Sequence, residues 1–323
     1  MLVLIGPTAV GKTALSLSLA KAWNAEIISG DSMQVYRGMN IGTAKIMDAE
    51  REGIVHHLID ICDPDEAYSA ADFQAGARAA IEAAASRGKL PFVVGGTGLY
   101  IESLCYDYKF ADNGSDEAFR REQESFAAEH GAEALHRKLA ELDAETAERL
   151  HPNDLRRVIR ALEVYHLTGR ASSDQLRGEE KQSPYELCII GLAMDRTELY
   201  RRIDKRVDLM LEQGLLDEVK TLIAGGAGVH SVPMQAIGYK ELVQYLHGEC
   251  SFDEAVIRLK RDTRRFAKRQ LSWFRHMRGI EWVDAGENFH NNLQRIHAII
   301  AGKFKDHLEY TSNQSFVDGG NFQ

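Results

Sequence analysis

The sequence predicts an α/β protein, a parallel-sheet core wrapped by helices and interrupted by a helical insertion. Three observations carry that expectation. Short apolar runs alternate with helical patterns from the N-terminus and resume at Leu187. A glycine-rich loop follows the first run directly. Strand-like runs vanish between Asp112 and Gln182, where amphipathic helical periodicity takes over. Strand-helix alternation reads as a parallel sheet because parallel strands need a crossover connection.

Met1 to Ile5 is a short apolar strand, and Ala14 to Trp23 sets Ala14, Leu15, Leu17 and Ala20 at helical spacing. Glu26–Ser29 is a second strand and Leu58–Cys62 a third. Ala70–Arg87 is an alanine-rich helix ended by Gly88, and Pro91–Val94 a buried strand before Gly95-Gly96-Thr97-Gly98. The insertion, 112–182, holds helices over Ala118–His130, Ala132–Leu142 and Asp154–Leu167. The core, 1–111 and 183–323, resumes with a strand at Leu187–Leu192, then helices from Arg196 to Met277 and a last strand at Trp282-Val283. Lys303–Gln323 is polar and expected to fray.

With 44% hydrophobic and 27% charged residues, the 323-residue chain is composed to bury a core, which excludes disorder over most of its length. Cys62, Cys105, Cys188 and Cys250 have no zinc-ligand spacing and read as reduced packing thiols. No apolar run reaches the ~20 residues of a membrane span, and no leader precedes the glycine-rich loop, so a cytoplasmic protein is expected. The net charge of −9 argues weakly against nucleic acid, but its distribution reverses the argument. Asp112–Glu148 holds eleven acids against four bases, whereas Arg258–Arg278 holds nine Lys/Arg against Asp262 alone. A local basic field of that kind is what binds phosphate backbones.

Gly6-Pro7-Thr8-Ala9-Val10-Gly11-Lys12-Thr13 fits GxxxxGK[ST] between a strand and a helix. That is the phosphate-binding P-loop, and it makes the core P-loop NTPase-like. Its backbone amides curl around an anion at a helix N-terminus, Lys12 adds a full charge, and the Thr13 hydroxyl is a candidate Mg²⁺ ligand. Phosphate binding does not establish phosphoryl transfer. Asp31 follows the second strand and Thr97 the Pro91–Val94 strand, so both belong at the carboxyl edge of the sheet where ligands bind. Asp31 is a candidate general base or metal ligand there, or equally an Asx turn. Asp60 is a candidate magnesium partner after its apolar run, and His56 and His57 read as structural.

GPTAVGKT at 6–13, ISGDSMQVYRGMNIGTAK at 28–45, DPDEAYSAADF at 63–73, VVGGTGLY at 93–100, HPNDLRRVIRALEVY at 151–165, QAIGYKEL at 235–242 and KRQLSWFR at 268–275 follow one another in order. Together they resemble the successive blocks of the tRNA dimethylallyltransferases, over about residues 1 to 285. The resemblance implies transfer of a dimethylallyl group from its diphosphate to N6 of adenosine 37, with Mg²⁺ as cofactor and the tRNA anticodon stem-loop as partner. It implies that Gly6 to Thr13 and Arg206 hold the diphosphate, with Arg202 a second candidate. Asp31 matches the general base and Thr97 a contact to the target adenosine. Contacts to tRNA are implied for Asp31, Ser32, Met33, Gln34, Thr97, Arg120, Arg156, Arg157, Val158, Ile159, Arg160, Gln235, Gly238, Lys240, Lys268, Arg269 and Trp273. Phe266, Trp273 and Phe274 interleave the basic stretch, as stacking or as core. A monomer is expected.

Three rivals remain at this point. A small-molecule kinase would consume ATP. A prenyltransferase acting on free AMP would not need so much basic surface. A non-catalytic RNA binder would need no Asp31.

Overall fold

The computed structural model describes residues 1–110, 116–176 and 182–304. The chain divides into two compact units, one of Met1–Asp107 with Ser183–Gln323, the other of Tyr108–Gln182.

The first unit begins with β1 (Leu2–Ile5), α1 (Lys12–Ala22), β2 (Ala25–Gly30), β3 (His56–His57), α2 (Ala70–Ser86), β4 (Leu90–Gly95) and α3 (Gly98–Cys105). The second unit holds α4 (Glu117–His130), α5 (Ala132–Leu142), α6 (Ala144–Arg149), α7 (Leu155–Thr168) and α8 (Ser172–Leu176). The first then resumes with β5 (Cys188–Ala193), α9 (Arg196–Glu212), α10 (Leu215–Ala224), α11 (Tyr239–Leu246), α12 (Phe252–Phe274), β6 (Ile280–Asp284) and α13 (Phe289–Lys303).

The six strands form one sheet in the order β3-β2-β4-β1-β5-β6, parallel throughout. Every residue of β1 is buried, which is why it reads as an unbroken apolar run rather than an alternation. Leu4, Leu19, Ile190, Ile203 and Ile296 fill one face of the sheet; Val3, Ile28, Phe73, Ile101 and Phe274 fill the other. A third cluster, with Tyr36, Val219, Tyr239 and Leu259, ties the segment after β2 to α10, α11 and α12.

Register positions the site. Gly95 is opposite both Ile5 and Gly30, so β1, β4 and β2 end level with one another. The loops beginning at Gly6, Gly96 and Asp31 therefore leave the sheet side by side. Gly95 must be glycine for this: a Cβ there would stand 2.3 Å from the Gly30 carbonyl oxygen.

The third strand differs from its expected place. Leu58 and Asp60 adopt φ of 61° and 55°, left-handed values that no extended strand tolerates. Pairing with β2 therefore stops at His57, and Leu58–Cys62 runs as a loop tied back to the segment after β2: the amides of Asp60, Ile61 and Cys62 donate to the carbonyls of Gln34 and Val35, and Tyr36 bridges Cys62. The expectation for Lys303–Gln323 lies, beyond Phe304, outside the described residues.

In the second unit, Leu135, Leu139, Val158, Ile159 and Leu162 make the core. Asp116 caps α4 by accepting the Phe119 amide, Asp143 caps α6 through Thr146, and Gly169 ends α7 at φ 67°. Among the described residues no helix is long and apolar enough to cross a membrane.

Candidate active site

The glycine-rich loop turns between β1 and α1 through left-handed conformations at Ala9 (φ 63°) and Gly11 (φ 105°). That path leaves the amides of Ala9, Val10, Gly11, Lys12 and Thr13 donating to no described residue. Five free N–H groups at a helix start are an anion cradle. The Lys12 ammonium lies inside it, donating to the carbonyls of Gly6 (2.9 Å) and Pro7 (2.8 Å). Burial, helped by the Arg206 charge, brings its pKa down to about 7, while the Asp31 carboxylate pulls the other way. The Arg206 guanidinium on α9 makes no hydrogen bond or ion pair with a described residue, and burial lowers its pKa too. Two adjacent cations, one without an internal partner, make a strong site for a multiply charged anion.

Asp31 stands on the wall of two neighbouring hollows. The smaller, about 70 Å³, is shared with Lys12, Thr13, Ser29 and Gln34. The larger, about 370 Å³, is lined by Thr8, Asp31, Met33, Thr97, Arg206, Met210, Lys240 and Phe266. Asp31 Oδ1 accepts the Met33 amide at 2.9 Å, an Asx turn. Its other oxygen bonds no described residue. Thr97 Oγ1 accepts the Ser32 amide at 3.0 Å, so the base-side and hydroxyl-side loops are stitched together.

The remaining residues expected around the cavity are placed as follows. Gln34 is tied inward, its Oε1 accepting from Ser29 (3.0 Å) and its Nε2 donating to the Thr43 carbonyl (3.3 Å). Gly238 (φ 97°) donates its amide to Glu241, Lys240 lies 3.5 Å from Glu241, and Gln235 donates to the Val229 carbonyl. Arg202 pairs with Glu198 at 2.9 Å, which sets it aside from the Arg206 site. Asp60 is engaged by Lys45 at 2.5 Å, so its carboxylate already has a cation. His57 contacts Glu26 at 2.7 Å and His56 the Ile54 carbonyl at 2.9 Å.

The basic stretch, on α12 and just beyond it, divides in two after Arg258, which bonds Gln244 at 3.4 Å. Lys260, Arg261, Arg264 and Arg265 pair with Asp208, Asp262, Asp204 and Asp262. Lys268, Arg269, Arg275 and Arg278 are exposed and form no ion pair with a described residue. The free basic face is therefore the C-terminal part. The aromatics turn inward: Phe274 is core, Phe266 lines the cavity, and Trp273 donates Nε1–H to Glu102 at 2.9 Å while its ring lies on Gly98. Of the two readings left open for Trp273, these contacts match the core one, in which it anchors α12 on α3.

In the second unit, Arg156, Arg157 and Arg160 are exposed on α7, whereas Val158 and Ile159 are core side chains with no surface for RNA. Arg120 and Arg160 converge on the fully buried Glu163, at 2.9 and 2.6 Å.

Three acceptors and an amide escaped the sequence reading. Glu163 is one. Glu218 of α10 takes the amides of Asn40, Ile41 and Gly42 and the Tyr239 hydroxyl, at 2.7–3.1 Å. Glu26 holds Arg87 and His57. Gln270 of α12 reaches both the P-loop and Gly96. Only Gln270 left a trace in the sequence: it is the polar residue at helical spacing with Ala267 and Phe274 on the buried face.

The family model described as IPP transferase matches residues 34–277, and one described as isopentenyl transferase matches residues 1–63. The chain is 52% identical over 307 residues to the tRNA dimethylallyltransferase of Geobacillus thermodenitrificans, covering 94% of this chain and 97% of that one. It is 53% identical to that of Bacillus velezensis, covering 94% and 98%. Among solved structures, the full-length tRNA isopentenylpyrophosphate transferase of Bacillus halodurans superposes with a TM-score of 0.72 at 48% identity, covering 96% of this chain and 98% of that one. A eukaryotic dimethylallyltransferase acting on tRNA superposes with a TM-score of 0.78 at 32% identity, covering 98% and 80%. With matches of this length and identity, the chain belongs to the IPP transferase family, the transferases named tRNA dimethylallyltransferases.

Proposed function

We propose that the protein transfers a dimethylallyl group from dimethylallyl diphosphate to N6 of adenosine 37 in the anticodon stem-loop of tRNA. One observation carries this reading: Asp31 shares a wall with Lys12 and Thr13 on one side and with Arg206 and Thr97 on the other. A proton acceptor thus stands between the anion cradle and a cavity with room for a small ring system.

The chemistry needs that pairing. The exocyclic amine of adenine is a poor nucleophile because its lone pair is drawn into the ring. As the nitrogen attacks the allylic carbon, the carbon–oxygen bond breaks and its electrons leave with diphosphate. The N6 proton passes to the free oxygen of Asp31, a contribution of roughly 10²–10⁴-fold. Charge gathering on the leaving oxygen is met by Lys12, Arg206 and the five loop amides, which are already oriented for it. The Thr13 hydroxyl, exposed at the first turn of α1 and bonded to no described residue, suits a hard divalent ion shared with the diphosphate. Mg²⁺ bound there would add positive charge to the leaving group.

The target base must leave its stack to enter the cavity, which costs ~a few kcal/mol. Phosphate contacts from Lys268 and Arg269 on α12, and from Arg156, Arg157 and Arg160 on α7, offset that cost without reading sequence. A monomer working in the cytoplasm accords with the reading.

The test is direct. Labelled dimethylallyl diphosphate, Mg²⁺ and unmodified tRNA with adenosine at position 37 give labelled RNA and free diphosphate. RNA that stays unlabelled, or product that requires ATP, defeats the proposal.

A further inference from the structure

Gln270 is a buried amide, 6% exposed, on the face of α12 that packs against the sheet. Its Oε1 accepts the Thr8 amide at 2.9 Å, and its Nε2 donates to the Gly96 carbonyl at 2.9 Å. The orientation is dictated by the partners, since flipping the amide would set donor against donor and acceptor against acceptor. The approach is also close: a Cβ on Gly96 would lie 2.3 Å from Nε2.

Both partners are backbone groups of the loops that carry the chemistry. Thr8 immediately precedes the five free amides of the cradle. Gly96 adjoins Thr97, whose hydroxyl accepts the Ser32 amide next to Asp31. A path of hydrogen bonds and neighbouring backbone thus crosses from the diphosphate side to the base side, and Gln270 is its middle. The next exposed residues on the same helix, Lys268 and Arg269, are free cations.

We propose that Gln270 is a positioning residue for the transfer, fixing the spacing between the anion cradle and the Asp31–Thr97 pair; this deepens the prenyl-transfer reading above and rests on it. An apolar residue would fill the space equally well. Only a group with one donor and one acceptor holds both loops at once.

Gln270→Met keeps length and removes both bonds, and Gln270→Glu keeps the acceptor while placing a carboxylate against the Gly96 carbonyl. With Gln270→Met, kcat should fall by about 10- to 100-fold, the range a displacement near 1 Å produces, with KM for tRNA within about twofold. Inorganic pyrophosphate with Mg²⁺ should bind that variant at least about threefold more weakly, by calorimetry. Gln270→Glu supplies the second arm. Its buried carboxyl, once protonated, again offers a donor and an acceptor, so activity relative to wild type should climb as pH falls. Two results overturn the inference: Gln270→Met with wild-type kcat and pyrophosphate affinity, or a Gln270→Glu deficit unchanged across pH. Wild-type protein that transfers no prenyl group, with pyrophosphate binding still weakened by Gln270→Met, would instead sink the prenyl-transfer reading and leave the positioning role standing.

Discussion

Asp31 accepts the amide of Met33 through one carboxylate oxygen, at 2.9 Å, and leaves the other free toward the cavity. The side chain is therefore an Asx turn and a candidate base at once, and two substitutions separate the roles. Asp31→Asn retains a turn acceptor but cannot take a proton; Asp31→Ala loses both. Both should cut single-turnover transfer by about 10²–10⁴-fold. Affinity of the Asn variant for tRNA should stay within about threefold, ~0.65 kcal/mol. An Asn variant that transfers normally rules out Asp31 as the base.

Lys12 should behave as an unusually acidic lysine. Burial and Arg206 bring its pKa to about 7, so in the free protein it is charged below that pH and largely neutral above it. Competitive acylation followed by mass spectrometry should show the Lys12 rate rising and levelling off near pH 7. Pyrophosphate should move that inflection upward, because an anion favours the charged form. An inflection above pH 9 without ligand contradicts the environment described.

The Glu163 carboxylate orders Arg120 and Arg160 on the second unit. Glu163→Gln should lower stability by about 1–3 kcal/mol, the cost of unmaking charged buried hydrogen bonds. Weaker tRNA binding should accompany it, by filter retention, if the two guanidiniums meet phosphate. Unchanged affinity in a folded variant would make the cluster purely structural.

Glu26 sets an acid limb. Its bonds to Arg87, and then to His57, bring its pKa from the usual 4.5 to about 2. The carboxylate is favoured in the folded state, so its stabilisation is complete above pH 4.5 and is lost as pH falls from there toward 2. Because Arg87 is half exposed, about 1–2 kcal/mol is expected rather than the full shift. Urea midpoints for Glu26→Gln and wild type should differ at pH 7 and converge toward pH 2.

The P-loop was legible because its function fixes spacing along the chain: two glycines, a lysine and a threonine fall within eight consecutive residues between a strand and a helix. Asp31 and Thr97 were legible by position, each directly after a strand. Residues that act across the fold were not. Gln270 meets Thr8 across 262 positions and Glu218 meets Asn40 across 178, and no local pattern encodes such a partner. Leu58–Cys62 misled because its apolar composition suggested a buried strand, whereas no residue of the segment is buried, Ile61 is exposed, and left-handed turns at Leu58 and Asp60 decide its conformation. The basic stretch misled more subtly. Its composition shows the field but not which cations Asp204 and Asp208 of α9, and Asp262 within the stretch, already neutralise.

The contact between Gly30 and Gly95 has an engineering consequence. With backbone pressed on backbone, the strands bearing Asp31 and Thr97 have no side chain between them to trim or enlarge. Widening the pocket for a bulkier donor must therefore work away from that contact, at side chains such as Met210 and Phe266 on the helices or Met33 on the loop after β2.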